Sequence, residues 1–109
     1  MFALKVRIND EQPIVAGAED LVVLNAMVNC AGKLGVASHS PRPSEKQDFN
    51  CHVGGLTSRA LDLANEHLRW LQRWELKVGD RVTIEIVETD RADPVVSSYP
   101  ARGGPAHEA

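Results

Sequence analysis

Hydrophobic and polar residues alternate without a break in two stretches of the chain. In Phe2–Ile8, residues Phe2, Leu4, Val6 and Ile8 fall on one side, and Ala3, Lys5 and Arg7 on the other. In residues 81–88, Val82, Ile84 and Ile86 face one way, and Arg81, Thr83 and Glu85 the other. Successive side chains of a strand point to opposite faces, so each pattern predicts a strand with one face on a core and one in water. The turn before the second strand is also legible. Gly79 can take the positive φ of a tight turn, and Asp80 suits its exit.

Residues 9–12 form a polar turn, and Ile14–Ala16 returns behind Pro13 as a short partner strand, completing an N-terminal hairpin. Leu21–Ala31 supports two readings. As a strand it places Val22, Leu24, Ala26, Val28 and Cys30 on one apolar face; as a helix it places Asn25 and Asn29 together, with Asp20 near the start. Its valines and its alternation favour the strand. Gly32 and Gly35 end it. Residues 36–48 carry Pro41 and Pro43 and read as a mobile loop, of a length that is uncommon unless functional or disordered. Residues 49–53 alternate again, with Phe49, Cys51 and Val53 inward and Asn50 and His52 outward, and Gly54-Gly55 closes the strand.

The spacing of apolar residues changes over residues 58–74. Leu61, Ala64, Leu68 and Leu71 make a stripe at helical spacing, opposite Asp62, Glu66, Arg69 and Arg73. Thr57 or Ser58 is placed to cap such a helix by accepting a bond from a free backbone N–H. A second stripe of Leu63, His67, Trp70 and Trp74 widens the apolar arc. The predicted fold is therefore α+β: an antiparallel sheet of four or five strands with one amphipathic helix packed on one face. Residues 1–94 form a single globular domain, and residues 95–109, with their prolines and Gly103-Gly104, a flexible C-terminal tail.

Composition narrows the function classes. The 109 residues fit one domain, and 43% hydrophobic and 25% charged residues are ordinary for a globular protein. A net charge of −3, with Lys and Arg scattered, gives no nucleic-acid footprint. No apolar run approaches the roughly 20 residues of a membrane-spanning helix. The charged N-terminal stretch is unlike a targeting peptide, so the expected location is the cytoplasm. Cys30 and Cys51 are too few for a secreted disulfide scaffold.

Candidate chemistry is sparse. Cys51 and His52 are adjacent on a strand, so they diverge unless the strand is bulged. His39, His52, His67 and His107 have no metal-ligand spacing, and Glu85 and Glu88 diverge. Residues 54–59 lead into the predicted helix but lack the spacing of a phosphate loop. No cofactor, metal or catalytic residue is expected. Trp70 and Trp74 stand out, because they are two of only five aromatic residues and large aromatics anchor interfaces.

Residues 54–94, with their Trp-containing helix, Val-Gly-Asp turn and acidic-ended strand, resemble small uncharacterised bacterial proteins that share this sequence shape. The resemblance implies no particular activity. The expected function is a non-enzymatic protein-binding module of the inhibitor or immunity type. Its contact residues would be Trp70, Trp74, His67, Leu63 and Arg42. The alternative is a self-associating structural subunit, which makes the partner a copy of the chain; an enzyme using Cys51 or His52 ranks third.

Overall fold

The computed structural model describes residues 1–39 and 47–101. Every regular element among them is a strand: β1 Phe2–Ile8, β2 Ile14–Ala16, β3 Leu21–Ala31, β4 Asp48–Thr57, β5 Glu66–Glu75, β6 Val82–Glu88 and β7 Ser97–Pro100. They form two antiparallel sheets, ordered β2-β1-β6 and β3-β4-β5-β7. No helix among the described residues is long and apolar enough to cross a membrane.

The alternating stretches become strands, but β4 runs on through Gly54-Gly55, read from sequence as its end, to Thr57. β1 pairs with β6 along its whole length, setting Leu4 opposite Ile86, Val6 opposite Ile84 and Ile8 opposite Val82. Paired residues share a face, so these side chains make one apolar surface, joined by Ile14 and Ala16 of β2. Asn9, in the left-handed conformation at φ 53°, and Gly79, at φ 95°, turn the chain at the same end of this sheet. Asn9 Oδ1 accepts from Arg81 N at 3.0 Å, and Asn9 N donates to Arg81 O at 2.7 Å.

The α+β expectation is wrong, because residues 58–74 are not a helix. They make the loop and second strand of a β4–β5 hairpin. Leu61, the first residue of the expected stripe, is 94% exposed, and Leu63 is exposed beside it. Thr57 does accept a backbone N–H, but from Glu66 across the hairpin at 2.8 Å, and its hydroxyl donates to Asn65 Oδ1 at 3.3 Å. Arg59 completes the loop: its Nε donates to Asp20 at 2.8 Å and its Nη1 to Glu66 at 3.0 Å. These carboxylates, Asp20 first, hold the guanidinium's proton more firmly than usual.

The register between β4 and β5 explains the misleading spacing. Gly54 pairs with Arg69, Val53 with Leu71 and Cys51 with Trp74, so β5 gains an extra residue twice over this span. Each bulge interrupts the two-residue period. Leu68, Trp70 and Leu71 thus all lie on the core side, and the step of three from Leu68 to Leu71 mimics a helix, while Leu61 and Ala64, the rest of that stripe, fall in the loop before β5.

The core lies between the sheets, with Val6 and Ala16 on one side and Val53, Leu68 and Trp70 on the other. Asp93 ties the two together. Its backbone N donates to Val15 O at 2.8 Å, its carboxylate accepts from Val15 N at 2.8 Å, and its carbonyl accepts from Trp70 Nε1 at 2.8 Å. β7 follows and pairs with β5, setting Tyr99 opposite His67. Residues 95–101, assigned from sequence to a flexible tail, therefore include a strand; the remainder of that tail lies outside the described residues.

Candidate functional site

The expected contact residues do not converge. Trp70 is 3% exposed and belongs to the core, so it is not available to a partner. Trp74 is partly exposed at the far end of β5. Leu63 sits in the hairpin loop, and His67 lies on the outer face of the four-stranded sheet, stacked on Tyr99 with ring centroids 4.7 Å apart. Arg42 lies outside the described residues, as does His107.

Cys51 and His52 diverge despite the nearby bulges. Cys51 is fully buried in the core, and its burial pushes the thiol's pKa up, away from the reactive thiolate. His52 faces the opposite side of the sheet, paired with Met27. Cys30 and Cys51 occupy neighbouring strands, but Phe49 is opposite Cys30 and Val28 opposite Cys51, and both thiols are free. No group of three or more His, Cys, Asp or Glu side chains suited to a metal ion occurs among the described residues.

The surface with the clearest unmet requirement is the open side of the core. Val6 is 1% exposed, yet Ile84, directly opposite it on β6 and on the same face, is 45% exposed, and Ile86 is 80% exposed. The cover given by the four-stranded sheet ends beneath β1, and β6 projects past it. Phe2 on β1 and Val22 and Val28 on β3 are exposed as well. Ile86, Phe2, Leu4, Val22 and Leu24, together with Glu19, line one groove of mixed polarity, about 460 Å³, along this opening. Val28, Phe49, Val78 and Val82 line a second, of about 420 Å³, at its other end.

The edge bordering the opening is also unprotected. Among the described residues β3 has β4 as its only hydrogen-bonded neighbour. Its sequence, LVVLNAMVNCA, contains no charged residue and no proline, and its bulge lies at the start, between Leu21 and Val23, so the length from Leu24 onward lacks the usual devices that stop an edge from pairing. Sequence reasoning recognised β3 and β6 as half-buried strands, but period alone does not say whether the sheet opposite reaches both. Compared with family models, curated proteins and solved structures, the chain shows no match.

Proposed function

We propose that the chain is a non-catalytic, self-associating β subunit, in which a strand of a second copy adds to the free edge of β3 and lies beneath β6. The supporting observation is the apolar inner face that runs from the buried Val6 to the exposed Ile84 and Ile86 without a change of character. Leaving large aliphatic side chains in water forgoes about 1.5 to 3 kcal/mol for each one that a partner would cover fully. A strand added to β3 extends the four-stranded sheet into the space under β6, so one event would satisfy both the edge and the stripe.

A second copy suits this edge for electrostatic reasons. In a two-fold pairing the same patch meets itself, so a net charge on it would oppose its own sign. β3 carries none. The inhibitor-type reading keeps only Trp74 of its tryptophan pair, because Trp70 is in the core.

Light scattering during size exclusion, from about 1 µM to several hundred µM, tests the proposal across the affinity range of ordinary interfaces. The expected mass is a multiple of the single chain. An Ile84→Glu/Ile86→Glu variant should run as one chain while keeping its β-type circular dichroism, because both side chains are already wet in the isolated subunit. A wild-type protein that stays monomeric over the whole range would overturn the proposal.

A further inference from the structure

The outer face of the four-stranded sheet, turned away from the open core, carries a second feature. Gly54 lies at its centre, paired with Asn25 on β3 and with Arg69 on β5. A glycine in mid-sheet leaves a hole one side chain deep. The hole exists because neighbouring strands crowd this position: a Cβ on Gly54 would come within 2.9 Å of Leu68 O and 3.3 Å of Arg69 Cδ. The groove over it has a volume of about 250 Å³. His52 and Met27 bound one end, and His67 and Tyr99 the other.

The rim is one-sided in charge. It holds a guanidinium, two imidazoles and an amide, and no carboxylate. Arg69 has no acidic partner among the described residues; its Nη2 donates to the Tyr99 hydroxyl at 3.0 Å, and its guanidinium carbon sits 5.5 Å from the centre of that ring. Tyr99, stacked on His67, therefore holds the guanidinium at the groove while leaving its remaining N–H donors uncommitted to carboxylate. His52 Nδ1 is the buried side-chain polar atom without a hydrogen-bond partner among the described residues. Val23, Met27 and Leu56 make the rest of the lining apolar.

We infer that this groove binds a small organic carboxylate, with the carboxylate on Arg69 and an apolar body lying over Gly54 against Met27 and Leu56. The guanidinium fork matches a carboxylate's two oxygens, the missing acid removes competition, and the apolar walls favour an organic anion over a free inorganic one. A volume below the usual range for drug-sized sites limits the ligand to roughly ten non-hydrogen atoms. The groove lies on the face of the sheet opposite the open core, and although β3 borders both, the Ile84→Glu/Ile86→Glu variant tests it apart from self-association.

Benzoate, benzamide and inorganic phosphate serve as probes, followed by amide and imidazole NMR shifts of the full chain and, in parallel, of the Ile84→Glu/Ile86→Glu variant. Benzoate should give saturable shifts centred on Asn25, His52, Gly54 and Arg69 in both proteins. Benzamide, which lacks the charge, and phosphate, which lacks the apolar body, should bind at least ten-fold more weakly. Arg69→Gln should weaken benzoate about ten- to hundred-fold, the range of a lost charge-assisted hydrogen bond, with the rest of the spectrum unchanged. Asn25→Leu, at an exposed edge position, is a second variant should Arg69→Gln disturb folding, and it should weaken benzoate several-fold. Equal shifts from benzoate and benzamide, unchanged affinity in both variants, or no saturation by about 50 mM, a limit beyond millimolar affinity, would each overturn the inference.

Discussion

Asp80 shows how far a single residue can be read from its neighbours in sequence. Its place at the exit of a glycine turn was legible, because Gly79 and a following short acid are turn chemistry. Its long-range partner was not. The carboxylate accepts from Lys77 N at 2.8 Å, from Asn9 Nδ2 at 3.1 Å and from Lys77 Nζ at 3.2 Å, so it fastens the turn before β6 to the turn after β1. The Lys77 backbone N–H, then Asn9 and the Lys77 ammonium, hold the Asp80 carboxyl below its ordinary value of 3.8. The folded chain therefore binds fewer protons here than the unfolded chain near that pH. The resulting stability is fully present above the ordinary value and is lost as pH falls through the lower, folded one. Urea unfolding at pH 7 and again near pH 3 should show a smaller acid-induced loss in Asp80→Asn than in the wild type. Equal losses in the two proteins would mean that the contacts to Asp80 do not favour its ionised form. Trp70 is the converse case: its size was visible, but whether it faced a core or a partner depended on Asp93, which lies 23 positions along the chain.

Legibility at the level of elements followed the regularity of each strand. β1, β2 and β6 keep the two-residue period from end to end, and β3 keeps it after a bulge between Leu21 and Val23; the limits of all four match the sequence reading to within a residue. β5 loses that period because two bulges shift its inner residues, and a helix was the simplest reading of what remained. Thr57 sharpened the error, since the hydroxyl that would cap a helix also serves to close a hairpin. Its role is testable through Thr57→Val, which keeps the shape and removes both hydrogen bonds of a side chain that is 1% exposed. Leaving the Glu66 N–H and the Asn65 carbonyl oxygen without this partner should cost about 1 to 3 kcal/mol. Chemical denaturation should register the loss, and faster amide exchange at Glu66 should locate it in the hairpin. A variant as stable as the wild type would show that water replaces the hydroxyl and that Arg59, with Asp20 and Glu66, suffices to hold the loop.

For the molecule as a whole, the relevant quantity is the mismatch between two sheets of unequal reach. One sheet presents an apolar face across β2, β1 and β6, while the other ends at β3, so Ile84 and Ile86 are left without a floor. No pattern along the chain encodes this, because each strand separately satisfies the rule of one apolar and one polar face. If a second copy supplies the floor, association and folding are coupled: the partner binds the folded chain and not the unfolded one. The urea midpoint should then rise with protein concentration, with apparent stability gaining about 1.4 kcal/mol per ten-fold increase for a dimer that unfolds in one step. The Ile84→Glu/Ile86→Glu variant should lose that dependence and unfold at a single midpoint. Its β3 amides on the side away from β4 should also exchange faster than in the concentrated wild type, because the strand that would pair with them is gone. A midpoint independent of concentration in the wild type, together with unchanged exchange along β3, would place the exposed stripe in water in solution and leave the subunit complete by itself.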